Sequence, residues 1–180
     1  MSRALIFISI TMAFSSCHPD KNTAVDLEKI RFQSTDASEI YFRNMRRSYY
    51  DMEEHQEAGI ELYTLSGYRD LETVNLRPTL AYNWRNDFVA IMVSKSDELK
   101  NEESLVLIFE SPESQHKLIL NDGDIKTQTT LALKLYNGIL ANNEIYLVQN
   151  RQKQPVFKSS EEKELFRITT FDFLRFVEMR

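Results

Sequence analysis

Residues 79–94 read TLAYNWRNDFVAIMVS. Two partly alternating apolar runs, 79–84 and 88–94, flank Arg85, Asn86 and Asp87, which predicts a β-hairpin with a short polar loop. Pro78 marks its start. Residues 95–103 are polar and read as a solvated connection. Residues 105–109, LVLIF, are nearly continuous in apolar residues and read as a central strand, ended by Pro112. A short strand follows at 117–120. Asn121-Asp122-Gly123-Asp124 then turns the chain and supplies an N-cap for a helix from Ile125 to about Ala141. In that helix Ile125, Ala132, Tyr136, Ile139 and Leu140 are expected to face the core. Residues 145–148 return as a strand, 149–154 read as a polar loop, and Ser160 with Glu161 and Glu162 starts a helix that Thr170 restarts.

Upstream, Phe42, Met45, Tyr49 and Met52 recur at three- and four-residue spacing. This predicts an amphipathic helix from about Asp36 to Gly59, with an Asp36/Glu39 capping box and Gly59 as a left-handed cap. The alternative is a strand, since Ile40-Tyr41-Phe42 and Tyr49-Tyr50 have high β-propensity. Residues 60–65 read as a strand and 66–70 as a turn. Strands clustered between helices predict a single α+β domain, with an antiparallel or mixed sheet of about five or six strands and flanking helices.

The 180 residues allow one ordinary core. The 22 basic and 27 acidic residues give a net charge of −5, the wrong sign for a chain gripping phosphate backbones, so no nucleic acid partner is expected. With 4 Gly and 3 His there is little material for phosphate loops or imidazole metal sites, and the single Cys17 cannot form an internal disulfide. No cofactor is expected.

Residues 1–16 carry Arg3 and an uncharged run from Ala4 to Phe14, closing with Ser15, Ser16 and then Cys17. A basic start, a short apolar stretch and small residues are the pattern of a secretory signal. The run is too short to span a bilayer, and no longer one follows. Its end resembles the lipobox of bacterial lipoproteins, although Phe14 stands where that family usually has Leu. The resemblance covers only the first 17 residues. It implies cleavage before Cys17, acylation of that residue, and an exported protein held at a membrane of the cell envelope by its acyl chains. Residues 17–35 would then be a lipid-anchored terminus and flexible tether, and 36–180 the globular domain.

The most charge-organised stretch holds Arg43, Arg46 and Arg47, then Asp51, Glu53, Glu54, His55 and Glu57. On a helix Arg43 and Arg47 lie one turn apart, where two guanidinium groups can grip a carboxylate or phosphate while Tyr50 stacks on a ligand ring. The plainer reading pairs Arg47 with Asp51 on a solvated face. Asp51 and His55, four apart, have the spacing of two metal ligands on one helical face, with Glu54 or Glu57 nearby, but HExxH, EF-hand and Gly-x-Ser-x-Gly patterns are all absent. No metal site and no catalytic residue is assigned. Tyr68, Tyr82 and Trp84 read either as an exposed aromatic strip or, in the favoured reading for Trp84, as core. Phe166, Phe171, Phe173 and Phe176 exceed what one helical face buries, so the segment is either buried all round or offers an apolar docking face, in which Phe173 and Phe176 would meet a partner.

The expected function is therefore a non-enzymatic binding or accessory domain with an envelope protein as partner. The alternatives are a small-solute or glycan-binding lipoprotein using the arginine–tyrosine segment, and a hydrolase built on Asp51 or His55.

Overall fold

The computed structural model of the chain describes residues 23–71, 74–99, 104–121, 123–149 and 152–180; the signal segment and Cys17 lie outside them. In chain order the regular elements are α1 (Asp36–Tyr41), β1 (Tyr50–His55), β2 (Ile60–Leu65), β3 (Leu76–Asn83), β4 (Phe88–Lys95), β5 (Ser104–Glu110), β6 (Gln115–Asn121), α2 (Ile125–Leu140), β7 (Glu144–Gln149), β8 (Gln152–Pro155) and α3 (Ser160–Phe176). The class is α+β, but the strands form two antiparallel sheets of four, ordered β1-β2-β3-β4 and β6-β5-β7-β8, where one sheet of five or six was expected.

The outer edge of β4 shows why the first sheet stops there. Thr129 of α2 accepts the Ile91 N–H at 3.3 Å, and its hydroxyl lies 3.1 Å from the Ile91 carbonyl and 2.9 Å from that of Ile125. Gln128 accepts the Val93 N–H at 3.0 Å. Further along, Val89 N–H donates to the Phe32 carbonyl and Ser34 N–H to the Asp87 carbonyl, while Phe32 stacks on Phe88. Side chains of a helix and an N-terminal strap thus take the bonds a fifth strand would make. Residues 32–34 are consequently packed on the domain. So is Val25, which is buried, and the short 3-10 turn Leu27–Lys29 leads from one to the other. The flexible tether expected over 17–35 does not extend through 23–35.

The predicted helix over 36–59 is the largest departure. Thr35 and Ser38 form the capping box, one residue upstream of Asp36 and Glu39. The helix then widens into a π-turn at Phe42–Arg46, tightens into a 3-10 turn at Arg47–Tyr49, and gives way to β1. β1 pairs with β2 through a turn closed by Gly59 at φ +68°, so this glycine serves a hairpin and not a helix cap. The strand alternative holds from Tyr50 onward. Met45, Tyr49 and Met52, whose spacing suggested a buried stripe, are 58%, 56% and 37% exposed. Of that stripe only Phe42 is buried, and the next buried side chain is Tyr50, outside it.

Pro78 lies within β3 opposite Val93, not at its start. The β2 ladder stops at Leu80, so no neighbour on that side needs the missing N–H. Trp84 falls just past β3 and is exposed with Arg85 over its ring, whereas Tyr68 and Tyr82 are core; no aromatic strip forms. Residues 152–155, read as loop, make the short edge strand β8. α3 is continuous because Thr169 and Thr170 return their hydroxyls to the carbonyls of Leu165 and Phe166 and start no second helix.

One cluster of buried apolar side chains takes in both sheets, α2 and α3. Phe176 stacks on Phe42 at 4.6 Å and meets Tyr82 at 5.1 Å, with Phe42 edge-on to Tyr63. Phe173 and Phe176 are 0% and 1% exposed. They are interior side chains, which corrects their reading as a docking face: α3 is buried around most of its circumference. At Gly138 an added Cβ would lie 2.6 Å from the Phe109 ring, so a residue without a side chain lets α2 approach β5.

Thr129→Val keeps the shape but orphans the Ile91 N–H and C=O. Unfolding in urea is expected to show a loss of about 1–3 kcal/mol for each group left unpaired.

Candidate functional site

The arginine–tyrosine segment is saturated by the protein itself. Arg43 donates through Nε to Glu39 at 2.7 Å and through Nη2 to Glu61 at 3.1 Å, and Tyr63 Oη donates to the same Glu61 carboxylate at 2.6 Å. Burial opposes the charge on Arg43, yet the hydrogen bond to Glu39 and the charge of Glu61 outweigh it and raise its pKa. Arg46 donates through Nε to both oxygens of Asp172 at 2.9 Å and pairs through Nη2 at 2.8 Å. Tyr50 Oη donates to Asp172 at 2.6 Å, and burial, reinforced by the Asp172 charge, drives its pKa well above the usual 10. Arg47 reaches only the Met52 sulfur. Arg43, Arg46 and Tyr50 are therefore internal ties between α1, its irregular extension, the first sheet and α3. They do not converge on an open ligand site.

Asp51 and His55 lie on a strand, so four residues separate them by about 13 Å instead of one helical turn. Asp51 pairs with Arg69, and His55 contacts Glu53 at 3.1 Å. The helical spacing that would bring Asp51 and His55 onto one face as metal ligands is not present. Among the described residues no group of three His, Cys, Asp or Glu is placed to hold a metal.

A cleft of about 370 Å³ lies between the second sheet and α2. Register puts Phe109 opposite His116 and Leu107 opposite Leu118, so His116 and Leu118 share the face that Phe109 presents to the helix. Lys134, Asn137 and Gly138, at i, i+3 and i+4, form the facing stripe of α2. The Asn137 side chain accepts the Val25 N–H at 2.7 Å and donates to the Val25 carbonyl at 2.9 Å. That clamp brings Leu27 onto the cleft wall, which Lys117 and Asn143 complete.

Among the described residues the lining contains no Asp or Glu. His116, Lys117 and Lys134 are exposed, and none has an ion-pair or hydrogen-bond partner among the described residues. Most other basic side chains are engaged, as in Lys153 with Glu110, Lys163 with Glu144 and Arg167 with Glu164. The floor of Leu27, Phe109 and Leu118 is apolar. A pocket of this volume with an apolar base and a cationic rim suits an anion carrying apolar groups. The sequence reading missed it; the one signal was the mid-helix glycine, which marks a close approach.

Two buried carboxylates elsewhere contrast instructively. Asp172 is fully engaged by Arg46 and Tyr50. Glu162, 2% exposed, accepts the Lys158 N–H at 2.8 Å through one oxygen while the other has no partner, and the buried Tyr68 hydroxyl is likewise unpaired. Burial raises the Glu162 pKa above the ordinary 4.5, only partly offset by the Lys158 bond.

No protein-family model matches the chain, and neither a curated protein nor a solved structure matches it significantly. Among the described residues no helix is long and apolar enough to cross a membrane.

Asp172→Ala leaves Arg46 and Tyr50 facing an empty position and is expected to cost about 3–5 kcal/mol. Glu162→Gln has the opposite sense. Because its folded pKa is raised, Glu162 binds its proton more tightly in the folded chain, so its contribution falls as pH climbs from 4.5 through the raised value. Melting curves between pH 4 and 8 should show this decline in the parent and its absence in the variant, which gains about 1 kcal/mol at pH 7.

Proposed function

We propose that this chain is a non-enzymatic binding domain of the bacterial cell envelope, lipid-anchored through Cys17, whose ligand is an anion with apolar substituents bound between the second sheet and α2. The observation that carries the binding half is the acid-free lining of the cleft, with His116, Lys117 and Lys134 unpaired among the described residues of a chain of net charge −5. Such a site selects its ligand by charge at the rim and retains it by apolar contact below. The anchoring half rests on the residues preceding Cys17. Acyl chains hold a protein at a bilayer with no spanning helix, since each buried methylene contributes about 0.8 kcal/mol.

Melting of the full-length protein in nonionic detergent, with decanoate or phenyl phosphate against decanol or phenol, tests the cleft. The anionic probes should raise the melting temperature, by an amount equivalent to about 2.7 kcal/mol at a hundredfold excess over Kd. The Lys117→Ala/Lys134→Ala protein should lose the effect. Equal stabilisation by the neutral probes, or an unchanged response in the double variant, overturns the reading.

Cys17→Ala is expected to abolish incorporation of labelled palmitate and to release the protein from the membrane fraction of its native cells. Retention in that fraction without label counts against anchoring.

A further inference from the structure

Four strand edges border the two sheets, and three are obstructed. The edge of β4 is bonded by Thr129, Gln128 and the 32–34 strap. β1 carries Asp51, Glu53 and Glu54, and β8 is four residues long and ends in proline. β6 differs. It is seven residues long, contains no proline, pairs only with β5 among the described residues, and presents Ile119 at 55% exposure. An edge of this length invites another strand unless charge repels it, and the one charged side chain of β6, Lys117, repels a basic strand and not an acidic one.

The groove beside that edge is continuous. A second hollow of about 290 Å³, lined by Leu118, Ile119, Thr127, Thr130, Leu131 and Lys134 together with Asp124 and Lys126, adjoins the cleft and shares Leu118 and Lys134 with it. The two hollows thus run along β6 on the side facing α2. Seven residues of strand span about 24 Å, more than a small anion fills. Cations predominate along this length: Lys117, Lys126 and Lys134 against, among the described residues, the one carboxylate of Asp124, which already accepts the Thr127 N–H as helix cap.

We infer that the occupant is an extended segment of a partner protein, alternating apolar and acidic residues, that adds to the second sheet as a fifth strand against β6. The inference rests on the anion-binding reading of the cleft and names its ligand class. Main-chain bonds to the open side of β6 hold the segment, apolar side chains enter the hollows over Phe109, Leu118 and Leu131, and acidic ones, alternating onto the opposite face of the sheet, meet Lys117. The acidic β1 edge repels the same segment, so the charge pattern directs it to one edge.

The test uses the full-length protein in nonionic detergent and a fluorescent octapeptide alternating valine with glutamate, read by anisotropy. Two N-methylated forms, each methylated on alternate residues, remove the donors of one peptide edge or the other without altering the protein. Strand addition predicts that one form loses about tenfold in affinity, the scale of a few lost hydrogen bonds, while the other binds like the parent. It further predicts that the lysine-for-glutamate peptide fails to bind and that Lys117→Ala weakens the parent peptide. Equal binding of both methylated forms overturns strand addition. So does failure of every peptide while decanoate or phenyl phosphate still binds, an outcome that leaves the cleft reading standing. Failure of peptides and small anions together removes both. A sedimenting dimer that excess peptide does not dissociate also overturns the inference, in favour of a second copy of this chain on β6.

Discussion

Two hydroxyl and amide side chains on one face of a helix set the architecture. Thr129 and Gln128 bond to the backbone of β4 at Ile91 and Val93, so the first sheet ends there and the chain must begin another. With α2 held against β4 on one side, the Gly138 stripe meets Phe109 on the other. The second sheet then packs where the helix is narrow, and a gap opens beside it where Lys134 and Asn137 have side chains. The cleft is in this sense a by-product of edge sealing. The residues that close one sheet fix the distance between a helix and the other.

Charge is divided in the same way. Of the conspicuous cations of the sequence, Arg47 touches only the Met52 sulfur among the described residues, while Arg43 and Arg46 are consumed in folding, bonded to Glu39, Glu61 and Asp172. Each has its acid on a distant element, Glu61 on β2 and Asp172 on α3, which orients the irregular turns between α1 and β1. Guanidinium geometry favours such fixed, two-oxygen contacts, whereas solvated lysines are better left facing water and ligand. The cations free to meet a ligand are accordingly the inconspicuous ones, dispersed over β6 and α2.

This division explains what was readable in advance. The β3–β4 hairpin, β5, α2 with its Asp124 cap and the α+β class followed from local pattern, because periodicity and turn chemistry are local. The change from α1 to β1 was not. Phe42, Met45, Tyr49 and Met52 satisfy a helical period, but the contacts that decide the conformation are Phe42 on Phe176 and Tyr50 on Asp172, more than a hundred residues away. Nor did the split into two sheets show, since nothing in TLAYNWRNDFVAIMVS reveals that the next partner of β4 is a threonine on a helix. His116, Lys117 and Lys134 become neighbours only through strand register and helix placement.

The reciprocal pair between Val25 and Asn137 has a mechanical consequence. Under the anchoring proposed above, drag would reach, among the described residues, first the Thr23 and Ala24 carbonyls held by Arg180 and then the two-bond clip of Val25 on α2 beside the cleft. Behind it the strap at 32–34 lies along β4, so the same tension next loads several backbone bonds together, in shear. The weaker clip gives way first, and its release would swing Leu27 off the cleft wall. Traction on the anchor and occupancy of the cleft would thus oppose one another, and the domain would hold its ligand most tightly when slack.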